Sequence, residues 1–398
     1  MKAPPTGEIL AQVQKRYDQY LADLETLVNV DCGTFVADGV NRVADFMQRR
    51  FEDAGWKVER IPHAPDPDGD VGQLGDCVVA SLAPSTVDRE PTGRRILLVG
   101  HMDTVFPDGT AAVRPFRIEG SRAYGPGVSD MKGGLLAGFY AVSVLQWLGF
   151  DDAGSIVYVC NPDEEIGSPF SGPVILDKAK SADACFVLEG ARENGDIVSA
   201  RKGVTDLRIA VHGRAAHAGV EPERGRSATL QAAHTTLALH GLNGRWPGVT
   251  VNVGVIQGGT RPNVVAERCD LRVDVRATTA EGFRRVQEEL ERIASTIVVP
   301  ETRIDMNATA GFPPMEKTEG TAKLVEKAKA LASEIGFELN DAATGGASDA
   351  NPVAGLGVPV LDGLGPVGGA DHAPGEWVDL DSVVPRIALL AGLIASSP

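Results

Sequence analysis

The sequence has no surplus of basic residues, no long apolar run and no paired cysteine motif, and each absence closes off a class of protein. Lysine and arginine number 38 against 54 acidic residues, a formal charge of −16. Nucleic acid and anionic membrane surfaces both need a basic footprint, so neither is expected as a partner. No stretch of about 20 uncharged apolar residues is present to span a bilayer. The apolar run "VVPRIALLAGLIASSP" is interrupted by Pro385 and Arg386. The opening "MKAPPTGEILAQVQKRYDQYL" has no apolar signal core, and a cytoplasmic protein is expected. Five cysteines, at 32, 77, 160, 185 and 269, form no C-x-x-C pair and sit mostly in apolar runs, which reads as reduced core thiols. H-E-x-x-H, G-x-S-x-G and P-loop motifs are absent, as are internal repeats and low-complexity segments. "GLGPVG" (363–368) has G-x-G-x-x-G spacing, but no helix start follows it to receive a pyrophosphate.

What is present points to an α/β architecture. The 398 residues suffice for two or three domains, or one large domain carrying an insertion. Residues 8–30 and 40–55 have helical periodicity. "RRILLVGH" (94–101), "SIVYVC" and "ACFVLEG" are apolar runs typical of strands buried on both faces, and "DMKGGLLAGFYAVSVLQWLG" reads as a helix between the first two. From about Gly203 the texture alternates polar and apolar, as strands with one wet face do. The order there is β-α-β-β-α-β, ending in "RIDMNATA", an expected inserted α+β domain at 203–311. Residues 1–202 and 312–398 then form one discontinuous domain, completed by a helix "GTAKLVEKAKALASEIG", a strand "VPVLDGL" and a last helix from Leu380. The proline-rich stretch 62–68 and "APSTVDREPTG" read as surface loops.

In open α/β sheets, functional groups gather at the carboxyl ends of the strands. Here those ends carry candidate metal ligands. "LLVGHMDT" ends in His101 and Asp103, "YVCNPDEE" in Glu164 and Glu165, and "CFVLEG" in Glu189. Asp130 and His372 stand in the glycine-rich loops "AYGPGVSDMKGG" and "GPVGGADHAPGE". Taken singly, each has an ordinary explanation; Asp130, for example, could simply cap the helix after it. Taken together, carboxylates crowded at one edge must protonate or hold a cation. Two histidines and three carboxylates suit zinc, with cobalt or manganese as substitutes. Two metals about 3.5 Å apart and sharing one carboxylate would use all five.

The motifs "GHMDTV", "GPGVSDMKGG", "PDEEIGS", "VLEG", "GRAAHAG" and "GGADHAPGE" occur in that order. In this the sequence resembles the cocatalytic dizinc peptidase and deacylase family, whose members include glutamate carboxypeptidase, succinyl-diaminopimelate desuccinylase, peptidase T and the aminoacylases. The resemblance implies a zinc-peptidase-like catalytic domain with a central mixed sheet flanked by helices. It makes the inserted domain a lid through which two copies dimerise. It implies two zinc ions per subunit, one bound by His101 and Glu189, the other by Glu165 and His372, with Asp130 bridging. Asp103 would orient His101, and Glu164 would be the general base. The Asp130–Met131 bond falls where the family has a cis peptide, although many relatives have an acid where Met131 stands. His217 in "GRAAHAG" would reach the partner's active site and donate to the oxyanion. Asn263 in "GGTRPNVV" and Arg276 in "VDVRAT" match positions that hold the substrate's carboxylate, which an Arg fork suits. Gly346 in "TGGASDAN" would line the pocket through its backbone, with Ser348 and Asp349 holding that loop. Asp163 is given no catalytic role.

The implied activity is metal-assisted amide hydrolysis that releases a C-terminal amino acid, most like a glutamate carboxypeptidase. A second reading is an N-acyl amino acid deacylase, with the same chemistry and a different pocket. In both, the expected substrate is a small peptide or N-acyl amino acid. A third reading, a non-catalytic relative that binds amino acids or partners, is disfavoured because neither the base nor any ligand is missing.

Overall fold

The computed structural model describes residues 3–64, 71–83, 93–150, 154–308 and 311–396. Residues 65–68 and 84–92, within the two expected surface loops, lie outside them. The chain divides into two compact units. One comprises Met1–Ser199, Lys317–Ala343 and Ser348–Pro398; the other comprises Ala200–Glu316 and Thr344–Ala347.

The first unit is built on a six-stranded mixed sheet. We number its strands β1 (Lys57–Ile61), β2 (Cys77–Leu82), β3 (Arg95–His101), β4 (Ser155–Asn161) and β5 (Ala184–Val187); the short strand Val360–Leu361 completes it. Their order is β1-β2-β4-β3-β5, then Val360–Leu361. β1 and β2 are antiparallel, as are β2 and β4. β3 runs parallel to β4 on one side and to β5 on the other. The carboxyl ends of β3, β4 and β5 therefore share one edge, and the chain switches sides of β3 between β4 and β5, the topology that opens a crevice at a sheet edge.

The apolar runs behave as expected. Every residue of β3 after Arg95 is buried. The helix Gly133–Trp147 is buried at each position from Gly133 to Leu145, so it has no wet face and belongs to the core. It joins the helix Leu380–Ser396 and the sheet in one hydrophobic cluster. Close approach there requires glycine. A Cβ on Gly134 would stand 1.7 Å from the Leu188 carbonyl oxygen, so Gly134 lets the helix settle against the residue preceding Glu189. The segment 8–30 is not one helix. It breaks into Thr6–Gln14 and Tyr17–Val28, with Arg16 leaving helical geometry and its guanidinium lying 4.1 Å from the Trp147 ring centroid.

The second unit contains strands β6 (Gly203–His212), β7 (Thr250–Gly258), β8 (Arg268–Ala277) and β9 (Arg303–Ala308), all antiparallel, in the order β7-β8-β6-β9. The helices Ala228–His240 and Ala280–Ser295 pack on this sheet. Ser227 and Thr279 cap their first turns through side-chain oxygens. Burial alternates along β8, which explains why its sequence alternates too. No helix among the described residues is long and apolar enough to cross a membrane. All five cysteines are buried and free.

Candidate metal centre

His101 is the last residue of β3, at the sheet edge where β4 and β5 also end. Its Nδ1 lies 3.0 Å from the Asp103 carbonyl oxygen and 3.4 Å from Asp103 Oδ1. A carbonyl can only accept, so Nδ1 carries the proton and donates. In a neutral ring the lone pair is then on Nε2. Nε2 faces Asp130 Oδ1 at 2.9 Å and Glu189 Oε1 at 3.7 Å. The other oxygen of Asp130 faces a different ring: Oδ2 is 3.0 Å from His372 Nε2, which also stands 3.1 Å from Glu165 Oε2. Asp130 thus sits between two imidazoles, with Glu189 beside one and Glu165 beside the other. Glu164 offers a carboxylate oxygen within 4.8 Å of the ligand atoms of His101 and Glu189. His372 is the exposed member of the group, with 55% of its side chain accessible, and its φ of 61° is in the left-handed region.

Asp103 organises this edge. It is fully buried and takes a hydrogen bond from Thr34 Oγ1 at 2.6 Å. It also accepts from the backbone N–H groups of Glu164 at 3.2 Å and Glu165 at 3.3 Å. Asp103 therefore holds His101 through its carbonyl and fixes the turn carrying both glutamates through its carboxylate. Glu376 does similar work for Asp130. Buried, it accepts from the N–H groups of Gly127 and Ser129, both at 2.8 Å, and of Asp130 at 3.0 Å. Asp130 itself makes no cap to the following helix, whose N-cap is Lys132 without a side-chain bond; the Asp130–Met131 peptide is cis.

The electrostatics call for a cation. Burial would raise Asp130, but hydrogen bonds from His101 and His372 outweigh it and hold its carboxyl well below the usual range. Hydrogen bonds to Asp130 and Glu165 lift His372 to about 10. Burial works against charge on His101, yet Glu189, Asp103 and Asp130 keep it well above an ordinary imidazole. The remaining carboxyls go the other way: burial raises Glu165, pushes Glu189 up to about 8 and drives Glu164 well above its ordinary value, with Glu189 adding to the last. Too little positive charge is present for all of them to ionise. Glu165 Oε1 is buried with no hydrogen-bond partner, an orphaned acceptor that a cation would satisfy. The donor set of imidazole nitrogens and carboxylate oxygens fits a divalent transition metal.

Asp163, next to the two glutamates, is buried and accepts from Phe170 N, Ser171 N and Ser171 Oγ. It is a structural side chain rather than a solvated one. Asp349 takes bonds from Ser168 Oγ at 2.5 Å and Asn161 Nδ2 at 2.7 Å, and Ser348 Oγ donates to Asp362 at 2.6 Å. The other candidates belong to the second unit. Exposed His217 accepts from Gly219 N at 3.1 Å through Nδ1 and pairs as a single bridge with Val264. The Asn263 carbonyl accepts from Ala218 N, so those two loops lie side by side. Arg276 Nε contacts both Asp274 oxygens at 3.1 Å and its Nη1 donates to the Gly345 carbonyl at 2.6 Å. The Gly346 carbonyl accepts from Arg201 at 3.1 Å. Thr34 and Glu376 were not anticipated from the sequence. The signal for Glu376 was its place at the end of the "GGADHAPGE" motif; for Thr34 there was none.

The chain is similar to known proteins over most of its length. The sequence pattern of Peptidase family M20/M25/M40 matches residues 97–396. Carboxypeptidase G2 of Pseudomonas sp. (strain RS-16) is 33% identical over 374 residues, covering 93% of this chain and 87% of that protein. Acetylornithine deacetylase of Myxococcus xanthus is 28% identical over 389 residues, 94% of this chain and 96% of that protein. Among solved structures, aminopeptidase PepT from Bacillus cereus ATCC 10987 superposes with a TM-score of 0.75 at 24% identity, covering 95% of this chain and 98% of that one.

Proposed function

The chain belongs to peptidase family M20/M25/M40, the metal-dependent peptidases and deacylases, and from that membership we propose that it hydrolyses an amide bond to release a C-terminal amino acid, most like a glutamate carboxypeptidase. The observation that carries the reading is Asp130, whose two oxygens address His101 and His372 separately. That arrangement suits two zinc ions per subunit, with cobalt or manganese able to replace them. His101 and Glu189 would hold one ion, Glu165 and His372 the other, and Asp130 both. When bound, such a pair would lower the pKa of a water molecule and polarise the scissile carbonyl. Glu164 takes the proton of the attacking water and returns it to the departing amine. Asp103 keeps Glu164 and His101 in register through the bonds described above. Asn263 and Arg276 receive the substrate's carboxylate, the Gly346 backbone lines the pocket, and His217 donates to the oxyanion.

The second unit serves, in this reading, as lid and dimerisation domain. Support comes from its exposed apolar side chains, Leu230 and Leu237 on one helix and Val255 and Ile256 on the edge strand β7, a surface of the kind that a second copy covers. Free, buried cysteines suit a reducing cytoplasm. Mixing inactive His217→Ala and Glu164→Ala subunits should restore part of the activity, because one site of the mixed dimer would hold both intact groups. No recovery in a verified heterodimer would refute a role for His217 across the interface.

An N-acyl amino acid deacylase is the second reading, since the deacetylase from Myxococcus xanthus covers nearly the same length. Both are decided by a hydrolysis panel of dipeptides and N-acyl amino acids ending in Glu, Asp, Ala, Leu and Phe. Release of the C-terminal residue, abolished by chelator and restored by zinc, is the expected result. Turnover insensitive to chelation would overturn the metal-dependent reading.

A further inference from the structure

Buried acids grip the backbone of two ligand-bearing segments of the first unit. Asp103 accepts from the N–H groups of Glu164 and Glu165, and Glu376 from those of the Asp130 loop. Around Glu189 the counterpart is a cation. Arg386, on the last helix, is 2% exposed. Among the described residues it forms no ion pair with a carboxylate; each of its nitrogens donates to a glycine carbonyl instead. Nε reaches Gly365 at 3.0 Å, Nη1 reaches Gly195 at 3.1 Å, and Nη2 reaches Gly363. Burial lowers its guanidinium to about 10, with Asp196 opposing, so it stays charged at neutral pH. A buried charge without a paired acid is costly, and an apolar side chain would fill the same space at less cost. What the charge supplies here is a strong grip on carbonyl oxygens.

Those carbonyls belong to two stretches that flank Glu189. Gly363 and Gly365 lie in "GLGPVG", the loop whose G-x-G-x-x-G spacing is followed by no helix before Leu380. Its backbone is laced to the Glu189 segment. Gly365 N donates to the Glu189 carbonyl at 2.9 Å, and Ala191 N to the Pro366 carbonyl at 3.0 Å. The fit is tight: a Cβ on Gly365 would stand 2.9 Å from the carbonyl oxygens of both Leu188 and Glu189, and one on Gly368 would stand 2.2 Å from Ser129 Oγ, beside Asp130. Gly195 closes the turn that follows Glu189, where its N–H donates to the Arg192 carbonyl at 2.7 Å. The guanidinium thus ties the loop alongside Glu189 to the turn after it, and a shift of either moves the Glu189 backbone. Glu189 Oε1 stands 3.7 Å from His101 Nε2, so that backbone decides how carboxylate and imidazole face each other.

We propose that Arg386 is a positioning residue for Glu189. Acting through "GLGPVG", it sets where the Glu189 carboxylate stands, and with it the affinity of the ion that His101 and Glu189 would hold. The inference rests on the two-ion reading of the centre. It gives a role to a loop and a buried cation that the reading leaves idle.

Cobalt(II) is the probe, added stepwise to the apo-protein and followed by visible absorption against a competing chelator. Amide hydrogen exchange of the same apo-proteins reads the brace without any metal. Arg386→Met removes the donors, Gly365→Ala presses on Glu189 from the loop side, and Ile394→Ala, in the core of the same helix, loses packing only. In Arg386→Met and Gly365→Ala, one cobalt ion is expected to bind about 10–100-fold more weakly, with an altered spectrum, and the other within about threefold of wild type. The same weakening in a His372→Ala background assigns it to the ion of His101 and Glu189. The amides of Ala191 and Gly365 should exchange about tenfold faster in Arg386→Met than in Ile394→Ala. Arg386→Lys, with an ammonium in place of the fork, should fall between Arg386→Met and wild type. Wild-type cobalt affinity in Arg386→Met, or an equal loss of cobalt in Ile394→Ala, overturns the positioning role and leaves the two-ion reading standing. Wild-type protein that takes up fewer than two cobalt ions overturns the two-ion reading; faster exchange at Ala191 and Gly365 then keeps Arg386 as the brace of Glu189, and unchanged exchange overturns both. If Arg386→Met does not fold, Arg386→Lys and Gly365→Ala carry the same comparison.

Discussion

Glu164→Ala is expected to lower kcat by about 10²–10⁴-fold, the usual worth of a positioned acid–base group, with metal content unchanged. The argument is geometric. Glu164 and Glu165 are neighbours in sequence and share one anchor, the Asp103 carboxylate on their backbone N–H groups. Their side chains part company beyond that point. Glu165 Oε2 stands 3.1 Å from His372 Nε2, while Glu164 stands with His101 and Glu189. The two jobs proposed for them make opposite demands, since a ligand must stay ionised and a proton carrier must cycle. Elemental analysis and steady-state kinetics on the same preparation check the assignment. A variant that keeps its metal and its turnover would remove Glu164 from the mechanism; one that loses metal would make it a ligand.

Asp130→Ala is expected to strip both of the proposed metals, whereas His372→Ala should strip one. Substitution of groups that merely support a ligand commonly weakens metal affinity 10–100-fold, so loss of a shared ligand should exceed roughly 100-fold at both positions. Metal-to-protein ratios after dialysis against a mild chelator give the comparison. Equal retention in the two variants would contradict a bridging role. Folding can be checked by thermal unfolding of each apo-protein, because Asp130 makes no helix cap whose loss would itself destabilise the chain.

Much of the centre could be read in advance because it follows from strand ends. An apolar run that stops at a histidine or glutamate places that residue at the sheet edge, and β3, β4 and β5 run parallel, so their ends meet. The β-α-β-β-α-β order was legible for the same reason: alternation along β6 and β8 reflects one buried face. What escaped depends on contacts between distant segments. Thr34 meets Asp103 across 69 positions, and Glu376 meets the Asp130 loop across nearly 250; no local pattern encodes such pairs. The interruption near Arg16 escaped because apolar spacing continues through it, while the chain there turns to stack Arg16 on Trp147.

The Glu376 contacts also bear on how the protein is made. Translation delivers His101, Asp103, Asp130, Glu164, Glu165 and Glu189 well before His372 and Glu376. Until the last stretch emerges, the N–H groups of Gly127, Ser129 and Asp130 lack the acceptor that holds them, and Asp130 Oδ2 lacks its imidazole. A nascent chain can therefore assemble β1 to β5, as early segments of a growing chain tend to, before Val360–Leu361 completes the sheet and before the centre is complete. The centre is thus completed by residues that follow the second unit in the chain, so order of synthesis and order of assembly are coupled there.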